Sequence, residues 1–246
     1  MRIAAITDIH ANLPALEAVL EALEEAGVDE IWCLGDVLGY GAEPDACAAL
    51  VRERCAIALV GNHDLAVLGA LDVASFSEAA AVAVEWTRDN VSEETLAFLR
   101  DLEPQGTRQG IGLFHASPRD PVWEYVLSSE QADAGMDASG QRLGLIGHSH
   151  VALFFNRPAQ GSREETRGAQ ASDGALLDLD GGEWLINPGS VGQPRDGDPR
   201  ASWLELDTEA ETALFHRAPY EIERAAKAIA AAGLPSRLAD RLHTGQ

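Results

Sequence analysis

Three short apolar runs, RIAAIT (2–7), EIWCLG (30–35) and CAIALV (55–60), are separated by segments of helical period, and this alternation constrains the fold most. Between the first two runs, Leu13, Leu16, Leu20 and Leu23 step by three and four, with Pro14 near the start and Gly27 placed as a stop. Between the second and third lies PDACAALVRER (44–54), a second helix. Strands joined by helices in this way form a largely parallel sheet flanked by helices. An Ala-rich helical region follows over about 77–102, with Ser92, Glu93 and Glu94 marking a fresh helix start inside it. IGLFHA (111–116) and RLGLIGH (142–148) then read as two more buried strands.

After His150 the texture changes. VALFFN (151–156), ALLDLD (175–180), EWLINPG (183–189), SWLELD (202–207) and TALFHRA (212–218) alternate more strictly, as antiparallel strands do. The polar, Gly-rich stretch 156–174 reads as an exposed loop or hairpin tip. EIERAAKAIAAAG and PSRLADRL, within 219–243, read as two short C-terminal helices. No repeat of fixed period and no clean linker divides the chain, so residues 1–246 are expected to form one domain with two sheets.

The ends of the first five strands share one property. They run into Asp8-Ile9-His10, Gly35-Asp36, Gly61-Asn62-His63-Asp64, His115, and Gly147-His148-Ser149-His150. Five of the seven histidines lie in these motifs. Taken singly, each has an ordinary explanation. Asp commonly starts turns, Asn-His-Asp can cap a following helix, and His115 can be a satisfied buried histidine. His148 and His150, two apart on an extended chain, would point the same way. Taken together, these carboxylates, amide and imidazoles converge where ligand sites lie in α/β sheets, beyond the carboxyl ends of the strands. Left without partners, such groups would cost several kcal/mol. Divalent metals would satisfy them, and nitrogen and oxygen donors without thiolate suit Mn, Fe, Co, Ni or Zn.

With 18 basic and 40 acidic side chains, the formal net charge is −22. A field of that sign disfavours long nucleic acid as a partner, so any phosphate site needs local positive charge from another source. Cys33, Cys47 and Cys55 contain no CxxC pair and read as small apolar fillers in a reducing compartment. The apolar stretch of MRIAAITDIH is too short for a signal h-region, and no run approaches the ~18 apolar residues of a membrane span. The expectation is a cytoplasmic protein without membrane partners.

The order D-x-H, G-D, G-N-H-D, H, G-H-x-H resembles the calcineurin-like metallophosphoesterases. TDIHANLPALEAVL, LGDVLGYGAEPDAC, LVGNHD, HASPRDP, IGHSH and NPGSVGQPRDGDPRASW are similar to its small bacterial and archaeal phosphodiesterase branch. Ala11 and Ser149 stand where that branch often has Gly and Thr, and neither departure removes a donor. The resemblance implies an α/β fold, a four-layer α/β/β/α sandwich of two mixed sheets, around two divalent transition-metal ions. Asp8, His10 and His150 would hold one ion and Asn62, His115 and His148 the other, with Asp36 bridging. His63 would assist the leaving group, with Asp64 orienting its imidazole. The implied activity is hydrolysis of small phosphodiesters or monoesters by a metal-bridging hydroxide. Alternatives are a protein phosphatase or dinucleoside polyphosphate hydrolase of the same superfamily, or a non-catalytic metal-binding scaffold. Arg119, Arg195 and Arg200 are candidate phosphate contacts, each with neighbouring acids that could claim it in a loop ion pair. Asn187 could support the site through backbone contacts. Trp123 and Tyr125 either line a base or aryl pocket or pack a loop against the sheet.

Overall fold

Each residue of the first strand, β1 (Arg2–Ile6), shows how the layers arise. Ile3 and Ala5 join Trp32 and Leu34 on one face of the sheet, while Ala4 and Ile6 meet Leu16, Val19 and Leu23 on the other. Alternate side chains of one strand thus enter two different cores. The computed structural model describes residues 1–158 and 165–246.

The chain continues through α1 (Leu13–Ala26), β2 (Glu30–Cys33), α2 (Pro44–Arg54), β3 (Ile57–Ala58), α3 (Asn62–Val67), α4 (Glu78–Asn90) and α5 (Glu93–Arg100). Next come β4 (Gln105–Arg108), β5 (Ile111–Phe114), α6 (Ser129–Ser139), β6 (Leu143–Leu145), β7 (Ala152–Arg157), β8 (Arg167–Gln170) and β9 (Leu176–Asp178). The last elements are β10 (Glu183–Pro188), β11 (Ala201–Asp207), β12 (Thr212–Ala218), α7 (Ile222–Ala231) and α8 (Ser236–Asp240). Two mixed six-stranded sheets result, in the orders β3-β2-β1-β11-β12-β9 and β4-β5-β6-β10-β7-β8. Strands β1, β2 and β3 are parallel in the first sheet, as are β5, β6 and β10 in the second.

The sheets enclose an apolar slab that includes the fully buried Trp32 and Phe215 with Leu113, Leu145 and Ile186. Helices α1 and α2 cover the outer face of the first sheet. Helix α6 covers the second through Ala132 and Met136, against Phe114, Phe155 and Leu185. The expected α/β/β/α layering is therefore present. Helices α7 and α8 pack through Ala225, Ile229 and Leu238 on Ala80 and Ala83 of α4. Among the described residues, no helix is long and apolar enough to cross a membrane.

The local signals operate as read for α1: Asn12 accepts from the Ala15 amide at 3.2 Å, and Gly27 ends the helix at φ +65°. Ser92 likewise starts α5, accepting from the Thr95 amide at 3.3 Å, and divides the helical region in two. Elsewhere the expectations need correction. The third strand shrinks to Ile57–Ala58, because it pairs only with Trp32 and Cys33 at the sheet margin before Val60 turns to the Glu103 carbonyl. Arg167–Gln170 is a strand rather than loop, paired antiparallel with β7. It is fully exposed, so no alternating pattern marks it. Residues 159–164, the centre of the expected hairpin tip, lie outside the described residues. Strand β4 and helix α6 also escaped the sequence reading: QGTR is short and polar, and SEQADAGMDAS buries only Ala132, Gly135 and Met136.

Candidate metal centre

The six parallel strands end at one margin, and five of them deliver candidate donors there. Asp8 and His10 follow β1, Asp36 follows β2, and Asn62 and His63 follow β3; His115 follows β5, and His148 and His150 follow β6. Every one of these side chains is buried. Bringing them together strains the backbone. Among the described residues, nine non-glycine residues have positive φ, and seven of them, Asp8, His10, Ala11, Asp36, Tyr40, His148 and His150, belong to this margin. Each such residue costs roughly 1–2 kcal/mol, so the surrounding structure must hold them there. Interlocked loop bonds do so: the amides of Asp8, His10 and Ala11 donate to the carbonyls of Gly35, Asp36 and Val37. Gly61 and Gly147 are required for room, since a Cβ would strike the Asp36 carboxylate in one case and the Thr7 hydroxyl in the other.

The histidine tautomers follow from their partners. The Nδ1 atoms of His10, His115 and His150 face the carbonyls of Leu38, Leu34 and Gln193 at 3.0, 3.0 and 2.6 Å. A carbonyl only accepts, so each Nδ1 carries the proton and each Nε2 presents a lone pair. The Nε2 atoms of His10 and His150 then meet at 3.0 Å, lone pair to lone pair. His115 Nε2 meets Asn62 Oδ1, another acceptor, at 3.1 Å. His148 is turned the other way, with Nε2 at 3.2 Å from the Trp123 carbonyl, which leaves Nδ1 free to face the centre.

The carboxylates have the same division. Asp8 Oδ2 accepts from the Thr7 hydroxyl at 2.9 Å and the His148 amide at 3.0 Å, and Asp36 Oδ1 from the His63 amide at 2.8 Å. Asp8 Oδ1 and Asp36 Oδ2 are buried without any hydrogen bond. Asp8 Oδ1 lies 3.8 and 3.4 Å from the Nε2 atoms of His10 and His150, while Asp36 Oδ2 lies 3.6 Å from those of both His10 and His115. Acceptors turned toward acceptors with no proton between them are what a cation would relieve. One donor atom each from Asp8, His10 and His150 lie within 4.8 Å of one another, as do those of Asp36, His115 and His148. His10, Asp36 and His63 form a third such group.

The electrostatics agree. Burial pushes the Asp8 carboxyl up to about 7, and burial with the like charges of Asp64 and Asp8 holds Asp36 well above the usual carboxylate range. Burial and the Arg195 charge bring His148 down to about 4 and hold His63 and His150 well below 6.5. Without a counter-cation the site disfavours its own charged forms.

Two assignments change, and the three candidate arginines divide. His148 and His150 do not sit on an extended chain; both have positive φ, because β6 has ended at Leu145, and they serve different groups of donors. Asp64 does not touch the His63 ring. Its carboxylate accepts from the amides of Val37, Leu38 and Gly61 at 3.2, 2.8 and 3.0 Å, and His63 Nδ1 has no partner. An acid at the third position of a helix is drawn to the free amides at its start, so Asp64 pins the Asp36 loop. Of the three candidate arginines, Arg119 is held by Glu124, and Arg200 by Asp198 and Asp173. Only Arg195 lines the cleft over the centre.

That cleft holds about 260 Å³ and is also lined by Phe76, Trp123 and Tyr125. Trp123 meets Phe76 edge-on at 5.1 Å, and Tyr125 stacks on His148 at 4.2 Å, so both aromatics belong to the cleft. Asn187 donates to the Gly147 carbonyl at 2.6 Å, bracing the turn that carries His148. Tyr40, Phe76 and Arg241 were missed; Tyr40 could have been suspected from its glycine-flanked position in LGYG, whereas nothing near Arg241 marks it.

The profile of the calcineurin-like phosphoesterase superfamily domain matches residues 1–211. An uncharacterized protein of Methanocaldococcus jannaschii is 36% identical over 249 residues, covering 99% of this chain and 98% of its own. The crystal structure of a metallophosphoesterase from Sphaerobacter thermophilus is similar with a TM-score of 0.89 and 40% identity, covering 100% and 99% of the two chains. A hypothetical protein from Pyrococcus horikoshii shares the fold at a TM-score of 0.78 with 19% identity, over 100% and 98% of the chains. The polar donors at the strand ends and these likenesses agree: the chain belongs to the calcineurin-like phosphoesterase superfamily.

Proposed function

We propose that the protein hydrolyses small phosphate esters, phosphodiesters foremost, with two divalent transition-metal ions. The observation that carries this reading is the pair of orphaned carboxylate oxygens, Asp8 Oδ1 and Asp36 Oδ2, each facing two imidazole nitrogens that carry no proton. Asp8, His10 and His150 would hold one ion, and Asn62, His115 and His148 the other. Asp36 Oδ2, at 3.6 Å from an imidazole of each set, would be shared. Bound there, the ions supply Lewis acidity toward the phosphoryl oxygens and water made acidic enough to act near neutral pH. The chain's own residues do the rest.

His63 lines the cleft with its Nδ1 unpartnered, and its ring is packed at 4.8 Å from His10 and 5.0 Å from Phe76. Packing on both sides fixes the imidazole over the reacting phosphate, where a ring N–H can reach the departing oxygen. Arg195, together with Arg241, brings positive charge to this cleft in a chain of net charge −22. Asp64 holds the loop bearing Asp36 in register with the helix bearing His63. The size of the cleft favours small esters, and the net charge disfavours long nucleic acid. All seven donors and His63 are filled, which favours an enzyme over a scaffold.

The test is His63→Ala, assayed with two esters of unlike leaving-group pKa alongside metal content and melting. Rates are expected to fall about 10²–10⁴-fold, more for an alkyl than for a nitrophenyl ester, with both ions retained. Loss of an ion would make His63 a ligand, as its grouping with His10 and Asp36 permits. Fewer than two ions in the reconstituted wild type would overturn the dinuclear reading.

A further inference from the structure

In a chain with 40 acidic residues, an arginine without a carboxylate partner is unusual. Arg52, Arg54, Arg100, Arg108, Arg119 and Arg200 all have one. Among the described residues, Arg88, Arg195, Arg237 and Arg241 have no Asp or Glu partner; Arg88 donates to the Ala66 carbonyl, and of the four only Arg195 and Arg241 line the cleft above the metal centre. They come from opposite parts of the chain, Arg195 from the loop after β10 and Arg241 from the turn after α8.

Neither guanidinium is loose. Arg195 Nη2 donates to Gln193 Oε1 at 2.9 Å and to the Tyr40 hydroxyl at 3.3 Å, and its carbon lies 5.7 Å from the Tyr40 ring centre. Its Nε is buried with no partner, and its Nη1 has no hydrogen bond among the described residues. Arg241 Nε donates to the main-chain oxygen of Gln246 at 2.6 Å, which leaves its two terminal nitrogens unengaged. Both side chains line the same cleft, and burial with the like charge of Arg195 holds Arg241 below the usual arginine range. Tyr40, Ser77 and Arg241 also line a neighbouring hollow of about 410 Å³, together with Arg237.

Two held, mutually repelling guanidiniums with free N–H groups form an anion site, since a phosphate would both neutralise the repulsion and accept from the unused donors. A single scissile phosphate over the metal centre has no need of the second arginine, which sits toward the adjoining hollow.

We propose that Arg195 and Arg241 form a subsite for a second phosphate of the substrate, so that the cleft selects small esters carrying a phosphate besides the scissile one. This deepens the phosphoesterase reading and rests on it.

The experiment compares thymidine 5′-(4-nitrophenyl phosphate) with the same ester bearing a 3′-phosphate, using full-length, metal-loaded protein. The leaving group is identical, so the ratio of kcat/KM reports the added phosphate alone. The wild type is expected to favour the 3′-phosphorylated ester by about 10- to 100-fold, mostly through KM. Arg241→Gln should bring that ratio close to one, and Arg241→Lys should restore part of it. A wild-type ratio near one, or a ratio unaltered by Arg241→Gln, would overturn the subsite. An equal fall in Arg224→Gln, which removes an exposed cation paired with Glu17 outside both hollows, would reduce the effect to overall charge and also overturn it. If neither ester is cleaved, the phosphoesterase reading fails by itself. Calorimetry of thymidine 3′,5′-bisphosphate against thymidine 5′-phosphate still decides the subsite, because it needs no turnover. Tighter bisphosphate binding that Arg241→Gln removes supports it; equal binding of the two by the wild type refutes it.

Discussion

The slab between the sheets and the margin where six parallel strands end are made by the same strands on opposite terms. In the slab, Ile3, Trp32, Leu113, Leu145, Ile186 and Phe215 are apolar and fully or almost fully buried. A few residues further along those strands, Asp8, Asp36, His115 and His148 are as deeply buried yet charged or polar, and several have positive φ. The first region stabilises the fold by removing apolar surface from water. The second lowers stability and is tolerated because the slab and the interlocked loops hold it in place. Burial alone therefore says little about what a residue contributes here.

The sharpest way to break the comparison is Asp36→Asn. It is expected to lose both ions and to lower the rate by at least about 10³-fold, read by elemental analysis and kcat. In chelator, the same variant should melt several degrees above the wild type, because an amide avoids the cost of either burying a carboxylate opposed by Asp64 and Asp8 or protonating it. A lower melting point in chelator would mean that the margin is not under electrostatic strain.

Phe215→Ala tests the other side. Deleting a ring from the slab should cost about 3–5 kcal/mol by urea unfolding, while metal content per folded chain stays at the wild-type level. Metal loss in the folded fraction would show that slab and margin are not separable.

The smallest effect concerns Asp45, a carboxylate away from both regions. Burial pushes it up, but the bonds from Thr95 Oγ1 at 2.6 Å and from Ser92 outweigh this and leave its pKa below 3.8. Since the folded pKa is depressed, its contribution is present above 3.8 and lost as pH falls through the folded value. Asp45→Ala should cost about 1–2 kcal/mol near neutral pH, and the difference from wild type should close in acid. A difference independent of pH would assign the effect to packing between α2 and α5.

Much of the slab was legible because period and burial are local properties. Leu16, Leu20 and Leu23 announce α1, and the apolar runs announce β1, β5 and β10. Strands β4 and β8 were not, since polar strands at a sheet margin are stabilised by pairing rather than by their own pattern. At the site, the donors could be named from their motifs, but Asp64 could not be assigned correctly. Its choice between the His63 ring and three backbone amides depends on where the Asp36 loop passes.

The arginines mark the boundary most clearly. Arg119, Arg195 and Arg200 each stand beside an acid in sequence and look alike there. In space, Glu124 and Asp198 claim two of them, and Arg195 turns to Tyr40 and Gln193. The sequence by itself determined the alternation of elements, the residue types at each strand end and hence the family. Tertiary structure alone decided the histidine tautomers, the orphaned carboxylate oxygens and the placing of Arg195 and Arg241 on one cleft. Several depend on partners far apart in sequence, 140 residues between His10 and His150, and no local pattern encodes which carbonyl, amide or charge will stand opposite once the sheets have closed.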